Sequence, residues 1–576
     1  MAFSAFAELR SERDKALLEE ILRFDGNDDN DDTTRLDDDD DTIRPDHVDD
    51  AARHAEAIQL ENAPDAPVVT LPDFARLVPL NDPAKLAFHE IALILKTNSE
   101  WNPHCRKFIH VSDFMSKLIS GPSMESDTSE GDMEIQEVYT GHFRLNLDIL
   151  PDNFAMGVVI GAGRLNLEHL GVDILLTTKG HRDDVRGRHA SIRHHHLNRL
   201  LMIVPARGKT VILNGEEVSR EGRVLESTRM GLTVGKLAYR IEFLPMNAGV
   251  YQERLEEIVR ESGSFFTERI ESIDLTPSES HLILKGYQIQ TPQAAGTFGV
   301  VSPCIKTSAN VDSANVYAAK RIQRTQSSFN QVGEEVAILK KLGEHPHIWA
   351  LVDVIHSDGD DKSMGNRYVN DIYLILEHWA PRTLVSLMDS QEDPSVRRQA
   401  FHQGAQGIRH IHSLHVIHRD IKPSNILVVR LNPLLVVIAD FGHATTTKKS
   451  RDHMKGTISY LPPEIIELKQ KSKDRKAISP DSKLHWSSRS DVYSYGLVGV
   501  ELLHGYSKRP KTRIDRISHN SLLATLRLHN TAMDEILEGM LAWDPGLRPE
   551  MRDVLLKACW SELETPSSAK KRHFPA

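Results

Sequence analysis

The sequence predicts a multidomain chain: a disordered acidic N-terminal segment, then an all-β sandwich, then a larger α+β domain with strands first and helices after. Three observations carry this expectation. Residues 25–50, "DGNDDNDDTTRLDDDDDTIRPDHVDD", hold few apolar side chains and repel themselves, the signature of a segment that buries no core. From about 137 to 245, short alternating runs such as "MGVVIGAG", "RLLMIVPA" and "LTVGKLAYRIEF" are separated by turn residues at close spacing. From about 281 to 563, strand-like runs give way to helical periodicity.

In order, residues 1–80 are assigned to an N-terminal helix (apolar spacing over 1–24) and the acidic region. Residues 81–136 are assigned to a helical segment containing "LAFHEIALILK" and a polar linker. The sandwich takes 137–248, a charged connecting helix 249–280, the α+β domain 281–563 and a tail 564–576. No fixed-period repeat is found. The histidine run "HHHLNR" (194–199) lacks partners at ligand spacing, so a solvent-facing strand is expected there in preference to a zinc site.

Composition bounds the function. The chain has 576 residues, 40% hydrophobic and 26% charged, with a net charge of −12. An acidic balance speaks against binding nucleic acid through its phosphates. Cys105, Cys304 and Cys559 are far apart and lack metal-ligand spacing, which fits a reducing compartment. With no signal-like N-terminus and no long apolar run, the chain is expected in the cytoplasm, the nucleus or both, with no membrane partner.

The chemistry concentrates in "VIHRDIKPSNILVV" (416–429), where apolar runs flank His418, Arg419, Asp420, Lys422, Ser424 and Asn425. Charges beside a core need partners or a chemical role. On its own the stretch is either a charged turn or a phosphoryl-transfer loop; matching parts elsewhere decide. "QAAGTFGVV" (293–301) places Gly296 and Gly299 where backbone amides can approach a phosphate. "VYAAKRI" puts Lys320 in an apolar strand, and a buried lysine needs an anionic partner. The helical "NQVGEEVAILKKL" offers Glu335, and "DIYLILEHW" reads as a buried strand ending near Glu377. Asp440 closes the strand "VVIADFG".

These motifs, in this order, resemble the eukaryotic serine/threonine protein kinases over residues 281–563. The resemblance implies a two-lobed α+β fold binding ATP and Mg2+. It implies that Ala294, Gly296, Gly299, Val301, Ala318, Lys320 and Glu377 contact the nucleotide, with Asn425 and Asp440 as the metal ligands. Asp420 matches the base, Lys422 the lysine that steadies the transferring phosphate, and Glu335 the helix partner of Lys320. Glu464 and Arg548 match a buried pair, and Thr457 with Lys422 matches the class that phosphorylates serine and threonine on protein substrates. Ala294 departs from the family, which has glycine there, and weaker nucleotide binding is the implied cost. A pseudokinase scaffold and a checkpoint-type kinase are the alternatives. The only Ser-Gln or Thr-Gln pairs noted, Thr325-Gln326 and Ser390-Gln391, fall inside the kinase region instead of ahead of it.

The run with Gly163-Arg164, Asp173-Ile174, Arg188-His189 and Asn214-Gly215 resembles a forkhead-associated (FHA) or SMAD-like sandwich. That resemblance implies phosphopeptide contacts by Arg164 and Arg188 and a phosphoprotein or docking partner. Gly187 stands where the family has serine, and Gly208 or Lys209 where it has the peptide-holding asparagine. Weak phosphothreonine binding is therefore expected.

Overall fold

The computed structural model describes residues 72–98, 101–120, 134–163, 171–196, 198–262, 272–292, 294–296, 299–307, 315–325, 328–357, 370–475, 479, 482–505, 515–529, 531–557 and 560. The expected helix over 1–24 and the acidic segment 25–50 lie outside them, as does Arg164. Among the described residues no helix is long and apolar enough to cross a membrane.

The front region holds two sheets. One has seven strands in the order Ile109–Ser120, Glu134–Leu145, Ala75–Pro79, Leu237–Phe243, Arg229–Val234, Val211–Leu213, Glu216–Glu217. The other has five: Arg223–Val224, Leu201–Pro205, Arg188–His194, Val158–Ala162, Ile174–Thr177. Alternate residues of their strands, such as Met230, Leu232 and Val234, are buried in the apolar core, as period-two patterning requires.

The β region begins earlier than 137. Ala75–Pro79 lies inside the larger sheet, paired on both sides, and Ile109–Ser120 forms a long hairpin with Glu134–Leu145. Between them the helix Asp82–Thr97 is capped by Asn81, whose side-chain oxygen accepts the amide of Ala84 at 3.1 Å. Its face of Ala84, Ala87, Phe88, Ile91 and Leu95 joins the core. Within 81–136 the helix Asp82–Thr97 is thus followed by the strand Ile109–Ser120, while most of the expected polar linker lies outside the described residues.

The histidine run is also not simply solvent-facing. His194 Nδ1 lies 2.7 Å from the Arg199 carbonyl, and its Nε2 is 3.1 Å from the Tyr251 hydroxyl. Burial pushes His194 down to about 4, and burial also pushes His345, stacked 4.3 Å from His410, down to about 4. The unfolded chain protonates such rings near 6.5 while the folded chain keeps them neutral, so the unfolded state binds the extra protons in between. The melting temperature is therefore expected to hold above pH 6.5 and to fall as pH drops towards 4. A melting profile flat across that window would contradict this.

The second half is two-lobed. Its first lobe is a seven-stranded sheet. Leu282–Leu284 and Tyr287–Ile289 lead to Gly299–Lys306, Val316–Arg324, Asn370–Glu377 and Ala350–His356, and Ala294–Gly296 folds back on Gly299–Lys306. The helix Phe329–Leu342 packs against this sheet through Val332, Ile338 and Leu339. The second lobe is helical around Pro394–Ser413 and Ser488–His504, with a three-stranded sheet that includes Ile426–Leu431 and Leu434–Ile438. Ser488–His504 is almost entirely buried, which explains its apolar run on every face. Part of the stretch 468–488, which has no counterpart among the motifs above, contributes to the core, since Trp486 is buried with Ile417, Leu461, Ile465 and Leu484.

Candidate active site

The site lies between the lobes. Asp440 ends the strand Leu434–Ile438 two residues on, and Lys320 lies in Val316–Arg324. Lys320 Nζ is 2.9 Å from Glu335 Oε1 and 3.0 Å from Asp440 Oδ1. Burial alone would push the Lys320 ammonium down, but the Glu335 and Asp440 carboxylates outweigh it and hold it above the ordinary lysine range. Asp440 shows the converse balance: burial raises it, and Lys320 more than offsets that and lowers it. Both therefore stay charged. Asp440 and Arg419 also take left-handed backbone conformations, φ 63° and 68°, a local cost that the surrounding bonds must hold.

Asp420 is buried, and each carboxylate oxygen has partners. Oδ1 accepts the Thr457 amide at 2.9 Å and its hydroxyl at 2.7 Å. Oδ2 accepts Asn425 Nδ2 at 3.0 Å and lies 3.2 Å from Lys422 Nζ. Lys422 Nζ also donates to Thr457 Oγ at 3.0 Å, so one hydroxyl bridges Asp420 and Lys422. His443 Nδ1 is 3.9 Å from Asp420; burial pushes that ring down to about 4, which leaves it neutral near pH 7. Asn425 turns its nitrogen to Asp420 and so offers its oxygen elsewhere.

Behind the loop, Asp491 accepts the amides of His418 and Arg419 at 2.8 and 2.9 Å and contacts His412 Nε2 at 2.9 Å. Glu464 and Arg548 form a two-point pair at 2.8 and 2.7 Å, with Ser490 on the same carboxylate at 2.9 Å. Val301 pairs with Lys320, and Ala318 with Leu376, one residue before Glu377. Val301, Ala318, Lys320 and Glu377 thus lie on three adjacent strands. Ala294–Gly296 and Gly299 form a hairpin above them, with Ala294 opposite Val301.

The family model described as "Protein kinase domain" matches residues 288–560. Serine/threonine-protein kinase Aurora-2 of Arabidopsis thaliana is 31% identical over 222 residues, covering 38% of this chain and 68% of that protein. The chain belongs to the protein kinase family. Aurora-1 of the same plant is 32% identical over 225 residues, covering 38% of this chain and 66% of Aurora-1. Ribosomal protein S6 kinase alpha-1 of Mus musculus is 27% identical over 287 residues, 47% of this chain and 35% of that one. The chain thus spans about a third of the length of the S6 kinase it matches.

In the kinase domain the folded chain brings Lys320, Glu335, Asp420, Lys422, Asn425 and Asp440 together. Arg188 lies elsewhere: it is exposed in the front region, and its Nε already donates to the Gly171 carbonyl at 3.0 Å. Sequence reasoning missed two features of the kinase domain. Gln331 donates to the Gly442 carbonyl at 3.3 Å, tying the helix to the loop after Asp440. Of the four hydroxyls of Thr445, Thr446, Thr447 and Ser450 in the segment after Asp440, Arg419 meets that of Ser450. Its guanidinium donates to Ser450 Oγ at 3.0 Å, and Asp452 lies 3.7 Å away. Thr445 is instead held by backbone pairing with Ile417.

Proposed function

We propose that the chain transfers the γ-phosphate of ATP to serine and threonine hydroxyls of protein substrates, in the cytoplasm or nucleus. The observation that carries the reading is Lys320 bonded to both Glu335 and Asp440 beside the Asp420–Lys422–Thr457 cluster. Phosphoryl transfer asks a protein mainly for positioning and charge neutralisation, and the Lys320 and Asp420 clusters offer charged groups for both. The donor set fits a hard divalent ion, since Asn425 and Asp440 offer oxygens. When bound there, Mg2+ in our reading, the ion neutralises phosphate charge. Lys320 orients the phosphates, Asp420 takes the hydroxyl proton, and Lys422 faces the transferring group. The test is incubation with ATP, Mg2+ and a generic basic protein, followed by phosphoamino-acid analysis. Phosphoserine and phosphothreonine are expected; phosphotyrosine alone would contradict the class.

Ser450 is the regulatory hydroxyl in this reading. A phosphate on it would meet the Arg419 guanidinium and order the segment. Phosphatase treatment is expected to lower activity in the wild type and in Thr446→Ala, and to leave Ser450→Ala unchanged. A phosphatase response that survives in Ser450→Ala would contradict it.

The front region reads as a divergent FHA-like domain. Asp173, one of its family positions, spends its carboxylate on structure: it accepts the amides of Val159 and Asp152 and contacts His104 at 2.7 Å. With Arg188 engaged and no serine at Gly187, a phosphate finds few donors. Each missing charge-assisted bond costs about 1.5–3 kcal/mol, so phosphothreonine peptides are expected to bind the full chain near millimolar or not at all. Space does not forbid the serine, because a Cβ at Gly187 would meet only the Ala162 carbonyl at 4.0 Å. Gly187→Ser is expected to tighten binding. Micromolar binding by the wild type that Arg188→Ala abolishes would show a working reader instead, with a phosphoprotein as partner.

A further inference from the structure

The strand Tyr287–Ile289 and the residues after it carry an alternation that the kinase lobe alone does not use. Tyr287 and Ile289 point into the lobe's own apolar cluster. Gln288 and Gln290 point the other way, to the face an isolated lobe would turn to water, yet each is only 2% exposed. Buried amides need partners, and these have them.

Gln288 Nε2 donates to the Glu226 backbone carbonyl at 2.7 Å and lies 3.1 Å from His281 Nδ1. Glu226 belongs to the front region, where Arg223 holds its carboxylate at 2.8 Å. Gln290 clasps one residue from both sides: its Oε1 accepts the Asp274 amide at 2.8 Å, and its Nε2 donates to the Asp274 carbonyl at 2.9 Å. The Asp274 carboxylate in turn meets His281 Nε2 at 2.8 Å and the Thr291 hydroxyl at 3.4 Å. Next to it, the Leu275 carbonyl accepts the amide of Leu201 from the front region at 3.3 Å, and Ile273 and Leu275 are buried.

We infer that the front β region is a built-in support for the phosphate loop, acting through Asp274 on Gln290 and Thr291 as positioning residues. The loop hairpin starts at Ala294, four residues after Gln290 and three after Thr291. The arm that leads into it is thus pinned at two successive side chains, and the Gln290 amide adds a backbone bond to the Pro303 carbonyl at 2.9 Å. A loop that closes over ATP loses less conformational freedom on binding when its arm is already fixed. The inference rests on the kinase reading of the site.

Because the loop holds nucleotide in ground and transition states alike, loosening its arm raises KM more than it lowers kcat. The experiment uses the full chain and measures KM for MgATP, KM for a peptide and kcat. Gln290→Ala is expected to raise KM for MgATP about three- to tenfold, the scale of one net hydrogen bond, with peptide KM and kcat within about twofold. Thr291→Val, which removes the hydroxyl with its bonds to Asp274 and Ser280 at nearly constant shape, decides the case if Gln290→Ala does not fold; about a twofold rise is expected. Wild-type KM for MgATP in the folded variants, or a loss confined to kcat or to melting temperature, would overturn the inference. A wild-type chain that neither binds nor turns over MgATP would overturn the kinase reading and this inference with it.

Discussion

Asp440→Asn and Lys320→Met are each expected to abolish nearly all phosphoryl transfer while leaving the fold intact. The two side chains meet at 3.0 Å, and Lys320 reaches Glu335 at 2.9 Å on its other side. Removing one preorganised charge from a transferring phosphate costs on the order of 10²–10³ in rate. Asparagine is the gentler replacement for Asp440, because its φ of 63° lies in the left-handed region that asparagine tolerates and alanine does not. Asp440→Ala is expected to lose transfer equally and to melt lower. Transfer to a peptide and thermal melting, measured side by side, check this. Either variant keeping half the wild-type rate would contradict the assignment.

Arg548→Ala is expected to cause the largest loss of stability. Arg548 is 1% exposed, and its guanidinium makes both bonds to Glu464 while donating to the carbonyls of Ala542, Arg489 and Trp543. It also lies 4.7 Å over the Tyr493 ring. Truncation leaves a buried carboxylate with only the Ser490 hydroxyl, a cost of about 3–5 kcal/mol. Glu464→Gln keeps the shape and one acceptor and is expected to cost less. Urea unfolding measures both, and a loss under about 1 kcal/mol for Arg548→Ala would contradict the role, given the range for broken buried pairs.

The kinase half was legible residue by residue because its chemistry demands particular side chains in a particular order. Lys320 bonds to Glu335 and, 120 positions on, to Asp440, and Asn425 bonds to Asp420. The front region was harder to read. Ile109–Ser120 pairs with its neighbour in a register that shifts between Val111 and Met115, and such a bulge breaks the period-two pattern that marks a strand. Ala75–Pro79 is five residues long, too short for alternation to stand out. Which of four hydroxyls meets Arg419 depends on how residues 443–450 fold back on the catalytic loop, a tertiary fact with no local sequence signal. The same holds for Gln288 and Gln290: outward polar residues on a strand read as solvated until another region covers them.

Everything proposed for the kinase half depends on Asp420 and its neighbours moving phosphate from ATP to serine and threonine. Labelled γ-phosphate can be followed from ATP into a serine/threonine peptide library in Mg2+ buffer, comparing the full chain with Asp420→Ala. Steady transfer by the wild type and near-complete loss in the variant are expected, with both proteins melting alike. No transfer by a folded wild type, or transfer that survives Asp420→Ala, would contradict the assignment of Asp420 as the base.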